Sequence, residues 1–298
     1  MSIQWFPGHM AKARREVEEK LKLVDFAMEL VDARAPLSSQ NPMLQQVLSN
    51  KTKMIVMMKK DLADPEETKR WIAHFKANGI PALAIDANKK ADIQQIILMA
   101  KELGKEKMER LQKKGIQPRA ARVMIVGIPN VGKSTLINRL ANKKIAKTGD
   151  RPGVTKQQLW IKVKKDFELL DTPGILWPKF EDQQVAERLA AIGTIKDQLL
   201  SLQDIAAFVL RYMQEHYPQI VLERYVMESA MDDMWDLFVH IGKKRGALES
   251  GGHVNFDKVA EIILRDLRTG RLGRITLESS ANDVTGDTSE EPQSNGQV

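Results

Sequence analysis

The sequence predicts an α/β fold, a mostly parallel six-stranded sheet with helices on both faces, followed by a small all-α region. Three observations predict it. Short apolar runs of strand length alternate with helical periodicity as far as Pro178. One of those strands, Arg122 to Gly127, runs through a glycine-bearing turn into a helix. Beyond Lys179 the strand signals stop and only helical spacing remains.

Met10, Ala13, Val17, Leu21 and Val24 recur at helical spacing and open the chain with an amphipathic helix. Phe26 to Val31 and Lys53 to Met58 are apolar runs of strand length. Asp64-Pro65-Glu66-Glu67 starts a helix: Asp64 can cap it, Pro65 suits its first position and Glu67 can complete a capping box. Pro81 to Asp86 is a third strand, and a long basic helix follows from about Asp92 to Lys114. Lys114-Gly115-Ile116-Gln117-Pro118 breaks that helix. Arg122 to Gly127 is the fourth strand and Val131 to Leu140 the next helix. Gln158 to Val163 and Phe167 to Leu170 read as a hairpin around Lys164-Lys165-Asp166. The alternation implies a mainly parallel sheet covered on both faces, with one antiparallel pair.

In the second part, Ile205, Phe208, Val209, Tyr212 and Met213 follow helical spacing, as do Met234, Leu237, Phe238 and Ile241, and Phe256, Val259, Ala260, Ile263 and Leu267. The expected division is 1–178 for the α/β domain, 179–278 for a helical domain and 279–298 for a disordered acidic tail.

Composition narrows the function. Apolar residues make up 43% and charged residues 29%, as in ordinary globular chains. With no cysteine, disulfides and thiolate metal sites are excluded. No apolar run reaches the ~20 residues that span a bilayer, and the first residues lack a signal-peptide pattern. The expectation is a cytoplasmic protein with no membrane partner. The net charge is +7. Ser279 to Val298 hold four acids and no Lys or Arg, so the rest has 46 basic residues against 35 acidic, a net +11. Such a body suits a polyanion such as RNA, although solubilising surface charge gives the same number.

Residues 127 to 134 read Gly-Ile-Pro-Asn-Val-Gly-Lys-Ser between a strand and a helix, which is the P-loop arrangement. Gly127 and Gly132 let successive N–H groups of Asn130, Val131, Gly132, Lys133, Ser134 and Thr135 curl around phosphate oxygens. Lys133 can reach the β- and γ-phosphates, and the Ser134 hydroxyl can bind Mg²⁺. Asp171-Thr172-Pro173-Gly174 follows a strand: Asp171 can hold Mg²⁺ through water, and Gly174 can offer its N–H to a γ-phosphate. Together they read as a GTP-binding, GTP-hydrolysing site. Between them lies Gly149 to Thr155, where Thr155 is either a second Mg²⁺ contact or a plain loop residue.

A guanine reader is absent downstream, where only helices are expected. The candidate is upstream: Met58-Lys59-Lys60-Asp61, directly after a strand. Asp61 can accept two hydrogen bonds from the N1 and N2 edge of guanine, and the Lys59 stem can cover the base. Asp86-Ala87-Asn88, after the third strand, can bring a backbone N–H to guanine O6. The order is thus base site, P-loop, switches, a circular permutation of the usual one. A cut elsewhere in the chain leaves a packed sheet intact.

With these motifs stand Trp5-Phe6-Pro7-Gly8-His9-Met10, Val31-Asp32-Ala33-Arg34, Gly149 to Gly153, Asp171 to Trp177 and Lys244-Arg245-Gly246. Almost end to end, the chain resembles the ribosome biogenesis GTPase A family of circularly permuted bacterial P-loop GTPases. The resemblance implies GTP/GDP and Mg²⁺ as ligands. It also implies late assembly of the large (50S) ribosomal subunit as the task, and that subunit's precursor and its rRNA as partners of a monomeric protein. In GTPases with the asparagine at Asn130, it further implies a K⁺ ion beside the phosphates.

Two positions depart from expectation. The family pattern has Asn where this chain has Met58, and a lost polar contact costs on the order of 1 kcal/mol. Weaker nucleotide binding follows, with specificity kept by Asp61. After Gly174, where many GTPases carry a water-orienting glutamine, stands Ile175, so a catalytic group must come from elsewhere. His9 is either that group or simply the start of the first helix. Arg265, Arg268, Arg271 and Arg274 are expected to face RNA. Lys243, Lys244 and Arg245 either do the same or cap a helix. Other readings are a GTP-binding scaffold with little hydrolysis and a tRNA- or translation-associated GTPase.

Overall fold

The computed structural model describes residues 7–115, 117, 119–143, 160–163, 167–172, 174, 176–177, 180, 182–195, 197 and 201–280, with the backbone alone for 7–13 and 107. Six strands form one sheet: β1 Phe26–Asp32, β2 Lys53–Met58, β3 Ala82–Ala84, β4 Ala121–Gly127, β5 Trp160–Val163 and β6 Phe167–Asp171. Their order is β3-β2-β1-β4-β6-β5, every pair parallel except β5 with β6. The central strands are buried on both faces, which is why they read as apolar runs and not as alternation. The strands match the sequence reading closely, except that β3 is short. Ile85 still bonds Met57 O at 2.8 Å, but the N–H of Asp86 turns away to the carboxylate of Asp92 at 2.8 Å.

One face of the sheet carries α1 Pro7–Leu21 and α2 Pro42–Leu48, with Val17, Leu44 and Leu48 against Met124, Val126 and Leu170. The helix α2, capped by Asn41, is too short to show a period in the sequence. On the edge, α3 Pro65–Ala77 presses Trp71 and Phe75 on β2 and β3. Asp64 caps α3 as expected, accepting from Glu66 N and Glu67 N at 2.7 and 3.1 Å. The reciprocal half of the box is absent: the N–H of Asp64 goes to Thr276 Oγ1 at 3.2 Å, and Glu67 pairs with Arg70. The long α4 Lys90–Gln112 and α5 Lys133–Ala141 complete this part.

Then come α6 Gln183–Ala191, α7 Leu202–His216, α8 Pro218–Tyr225, α9 Met234–Arg245 and α10 Phe256–Arg268. The predicted apolar stripes of α7, α9 and α10 are their buried faces, while α6 and α8 went unread. After α10 the chain returns to the sheet. Ile275 N bonds Leu62 O at 3.0 Å and Leu277 N bonds Arg34 O at 2.7 Å. The buried carboxylate of Glu278 accepts from Ser38 N and Oγ and from Arg188. The helical part is thus fastened to the loops that follow β1 and β2. Among the described residues no helix is long and apolar enough to cross a membrane. The tail from residue 281 on lies outside the described residues.

Candidate nucleotide site

The ends of β4, β6, β1 and β2 converge at one edge of the sheet. There β4 runs through the loop Ile128–Gly132 into α5. Gly132 caps α5 with a left-handed backbone, φ 111°, and no side chain caps that helix end. Its first N–H groups, from Lys133, Ser134 and Thr135, are therefore open to an anion, which the helix dipole favours. Lys133 is buried, and its Nζ donates to Gly127 O and Ile128 O, each at 3.0 Å. Burial pushes its pKa down to about 8, and Asp171 opposes the shift only in part. Asp171 is in turn pushed up by burial, with Lys133 and Lys20 pulling it back. Burial thus shifts both groups towards their neutral forms, a perturbation that clusters at sites which take charged ligands.

Asp171 lies opposite Ile125 on the P-loop strand, and Thr172 Oγ1 donates to Ile125 O at 2.6 Å. Gly174 comes so close to the P-loop that an added Cβ would lie 2.9 Å from Lys133 Nζ and 3.0 Å from Pro129 Cα. The two motifs read separately in the sequence are thus one constellation. Ser134 is half-buried in the first turn of α5, and Thr135 is exposed. Two of the three residues expected to hold Mg²⁺ fit the ion: Asp171 is a half-buried carboxylate, and Ser134 carries a hydroxyl at an open helix end. Thr155 and Ile175 lie outside the described residues, as does the side chain of His9, whose backbone begins α1.

The base end is built on β2 and β3. Met58 is buried, and its Cε lies 3.0 Å from where a Cβ on Gly132 would stand. The thioether lies against the P-loop at the position where the family pattern has asparagine. Lys59 has a left-handed backbone, φ 61°, and its Nζ pairs with Asp32 at 2.9 Å. Lys60 pairs with Asp92 at 2.9 Å, and Asp61 is exposed. Asp86 accepts from Asn88 N at 2.8 Å, and Asn88 Oδ1 accepts from Arg139 of the P-loop helix at 3.0 Å. Ala87 is half-buried between them.

The sequence reading missed the function of Asp32. It is buried, as is Arg34, which grips it through Nε at 2.9 Å and Nη2 at 2.8 Å. Burial alone would raise its pKa, but Arg34 and Lys59 together hold it well below the carboxylate range. Asp32 stands opposite Met58 in the sheet, so a fixed anion anchors the base loop. The readable signal was an acid at the end of a mainly apolar strand with an arginine two residues on.

Two of the four arginines expected on RNA are engaged inside the molecule. Arg268 binds Asp197 through two bonds of 2.8 Å, and also Ala190 O and Ala191 O. Arg274 donates to Ala63 O at 2.9 Å and Lys60 O at 3.1 Å. Their guanidinium groups tie the helical part together and hold the base loop; Arg265, Arg271 and Arg274 are exposed, and Arg271 lies 3.9 Å from Asp266. Lys243, Lys244 and Arg245 are exposed as well, and Arg245 lies over the ring of Tyr225. Asn130 is drawn towards the helical part: its Nδ2 donates to Gly193 O at 3.0 Å.

A parallel sheet with a P-loop on its central strand, a DTPG turn beside it and a base loop upstream defines a circularly permuted P-loop GTPase. Residues 122–233 match the family model described as "50S ribosome-binding GTPase". Over 278 residues, the chain is 57% identical to ribosome biogenesis GTPase A of Bacillus pumilus, covering 93% of this chain and 99% of that one. It is 30% identical to the Thermotoga maritima protein of the same name, over 93% and 94% of the two chains. The GNP-bound structure of YlqF from T. maritima superposes with a TM-score of 0.62 at 28% identity, covering 90% of this chain and 98% of that one. The chain belongs to the ribosome biogenesis GTPase A family and is a GTP hydrolase.

Proposed function

We propose that this GTPase acts in late assembly of the large ribosomal subunit. It joins the 50S precursor and its rRNA in the GTP state and leaves on hydrolysis. The observation that carries the nucleotide half of this reading is the meeting of Lys133, Asp171 and Gly174 beside an uncapped helix end. The partner half is supported by the excess of basic residues and by the names of the relatives.

In this reading Lys133 grips the β- and γ-phosphates, and the N–H groups from Asn130 to Thr135 cradle them. Ser134, Thr155 and Asp171 hold Mg²⁺, which supplies neutralisation of charge on the phosphate oxygens. Gly174 donates its N–H to the γ-phosphate. Asp61 reads the guanine edge, Lys59 and Lys60 shape the loop, and the Asp86–Ala87 backbone meets O6. His9 orients the attacking water, because Ile175 cannot. Asn130 spends its Nδ2 on Gly193, which leaves Oδ1 as the atom to offer K⁺. Arg265 and Arg271 meet rRNA. The working division is 1–178, 179–278 and a tail at 279–298, in a cytoplasmic monomer.

The test is multiple-turnover phosphate release with and without large subunits, in K⁺ and in Na⁺ buffer. The expected result is slow turnover alone, stimulation by the subunit, and faster hydrolysis in K⁺ than in Na⁺. Turnover unmoved by large subunits would favour the scaffold reading, and equal rates in the two buffers would remove K⁺ from the account.

A further inference from the structure

The described tryptophans are treated unequally. Trp71 and Trp177 are buried and Trp160 is half-buried, but Trp235 is 64% exposed. It is nevertheless packed on one side. Standing in the first turn of α9, its ring lies 4.2 Å from that of Phe256 at the start of α10, and Phe256 stacks on Phe238 at 6.0 Å. Met231 and Met234 lie half-exposed on the same stretch of chain. A packed aromatic tier facing solvent has given up burial worth about 2 kcal/mol and needs a reason.

The charge around it is distinctive for a chain of net +7. Between Val226 and Gly242 there are four acids, Glu228, Asp232, Asp233 and Asp236, and no Lys or Arg. All four are exposed. Asp233 caps α9, accepting from Asp236 N at 3.0 Å, and an acid there suits the helix dipole. That accounts for Asp233 and Asp236, but not for Glu228 and Asp232 in the preceding loop, nor for the tryptophan. Lys258, two residues from Phe256, is the adjoining base.

We infer that this face, formed by the starts of α9 and α10 and the loop before α9, docks a lysine- and arginine-rich protein segment that sets an apolar side chain on Trp235. Exposed Trp and Met give an adaptable apolar anchor of the kind that dominates interface energies. The tryptophan face also attracts cations, and the carboxylates steer them in. RNA phosphates would meet those carboxylates and be repelled. The far end of the same helix, with exposed Lys243 and Lys244, has the opposite preference. One helix thus separates two kinds of partner, a cationic protein segment at its start and an anion at its end. This inference does not depend on the nucleotide reading.

The test uses the full chain and a fluorescein-labelled amphipathic Lys/Leu peptide followed by anisotropy, with the same peptide carrying Glu for Lys as control. The Lys peptide is expected to bind and the Glu peptide not. Trp235→Ala should weaken binding by about tenfold or more. The double variant Glu228→Lys/Asp232→Lys, both in an exposed loop, should do likewise, with melting temperature and basal GTP hydrolysis unchanged. Lys243→Glu/Lys244→Glu should leave binding intact. Equal affinity for wild type and both variants would overturn the inference. So would an RNA oligonucleotide whose binding falls with Trp235→Ala, or a dimer in sedimentation that Trp235→Ala dissolves.

Discussion

At the phosphate end of the nucleotide site the chain is shaped by the absence of side chains, whereas at the base end it is shaped by charges. Gly132 adopts a backbone that other residues resist, and Gly174 approaches Lys133 and Pro129 too closely for a Cβ. Directly after β2, the base loop depends instead on Lys59 paired with Asp32, Lys60 paired with Asp92, and Arg274 reaching in from the far end of the chain. The phosphate end is thus set mainly by local sterics, with one tie to the helical part through Asn130 and Gly193. The base end is non-local, and its conformation is tied to the helical part. A change in the helical part should be felt most where we propose that guanine is read.

The largest expected effect is at the phosphate end. Lys133→Met removes the charge that phosphates should attract, and the charged hydrogen bonds it makes are worth about 1.5–3 kcal/mol. GDP affinity measured by calorimetry should fall roughly 100-fold. Next is pH. In the free protein Lys133 loses its proton at about 8, and bound phosphates favour the protonated form. Binding therefore takes up a proton above that value, and affinity must fall as pH rises. From pH 8 to pH 9 the loss should be about fivefold, and Lys133→Met should abolish the dependence. A flat profile in the wild type would mean that Lys133 is charged before nucleotide arrives. The smallest effect is at the base end. Met58→Asn exchanges a thioether against Gly132 for a polar tie, which should tighten GDP binding by up to about fivefold, on the order of 1 kcal/mol. If this variant bound GDP no better, the base end would not be short of a hydrogen bond, and the contrast between the two ends would lose half its content.

The same contrast explains what was legible in the sequence. The sheet and the P-loop were readable because their signals are contiguous: apolar runs for β1, β2 and β4, and a glycine turn at Gly127–Ser134. Lys59–Asp61 were readable as a loop because they directly follow a strand. The partners of those residues were not. Nothing near Lys60 announces Arg274, and nothing near Asp64 announces that Thr276 takes the N–H that Glu67 was expected to bind. Arg268 read as a surface cation because its acceptors, Asp197 and two carbonyls at the end of α6, come from another part of the chain. Local chemistry is written locally, whereas the destination of a long polar side chain is a tertiary fact.

The central claim is that the nucleotide controls attachment to the large ribosomal subunit. Co-sedimentation of the full chain with large subunits tests it directly, in a non-hydrolysable GTP analogue and in GDP. The account predicts that the protein pellets with the subunit in the analogue and stays in the supernatant in GDP. Equal pelleting in both nucleotides, or in neither, would contradict it.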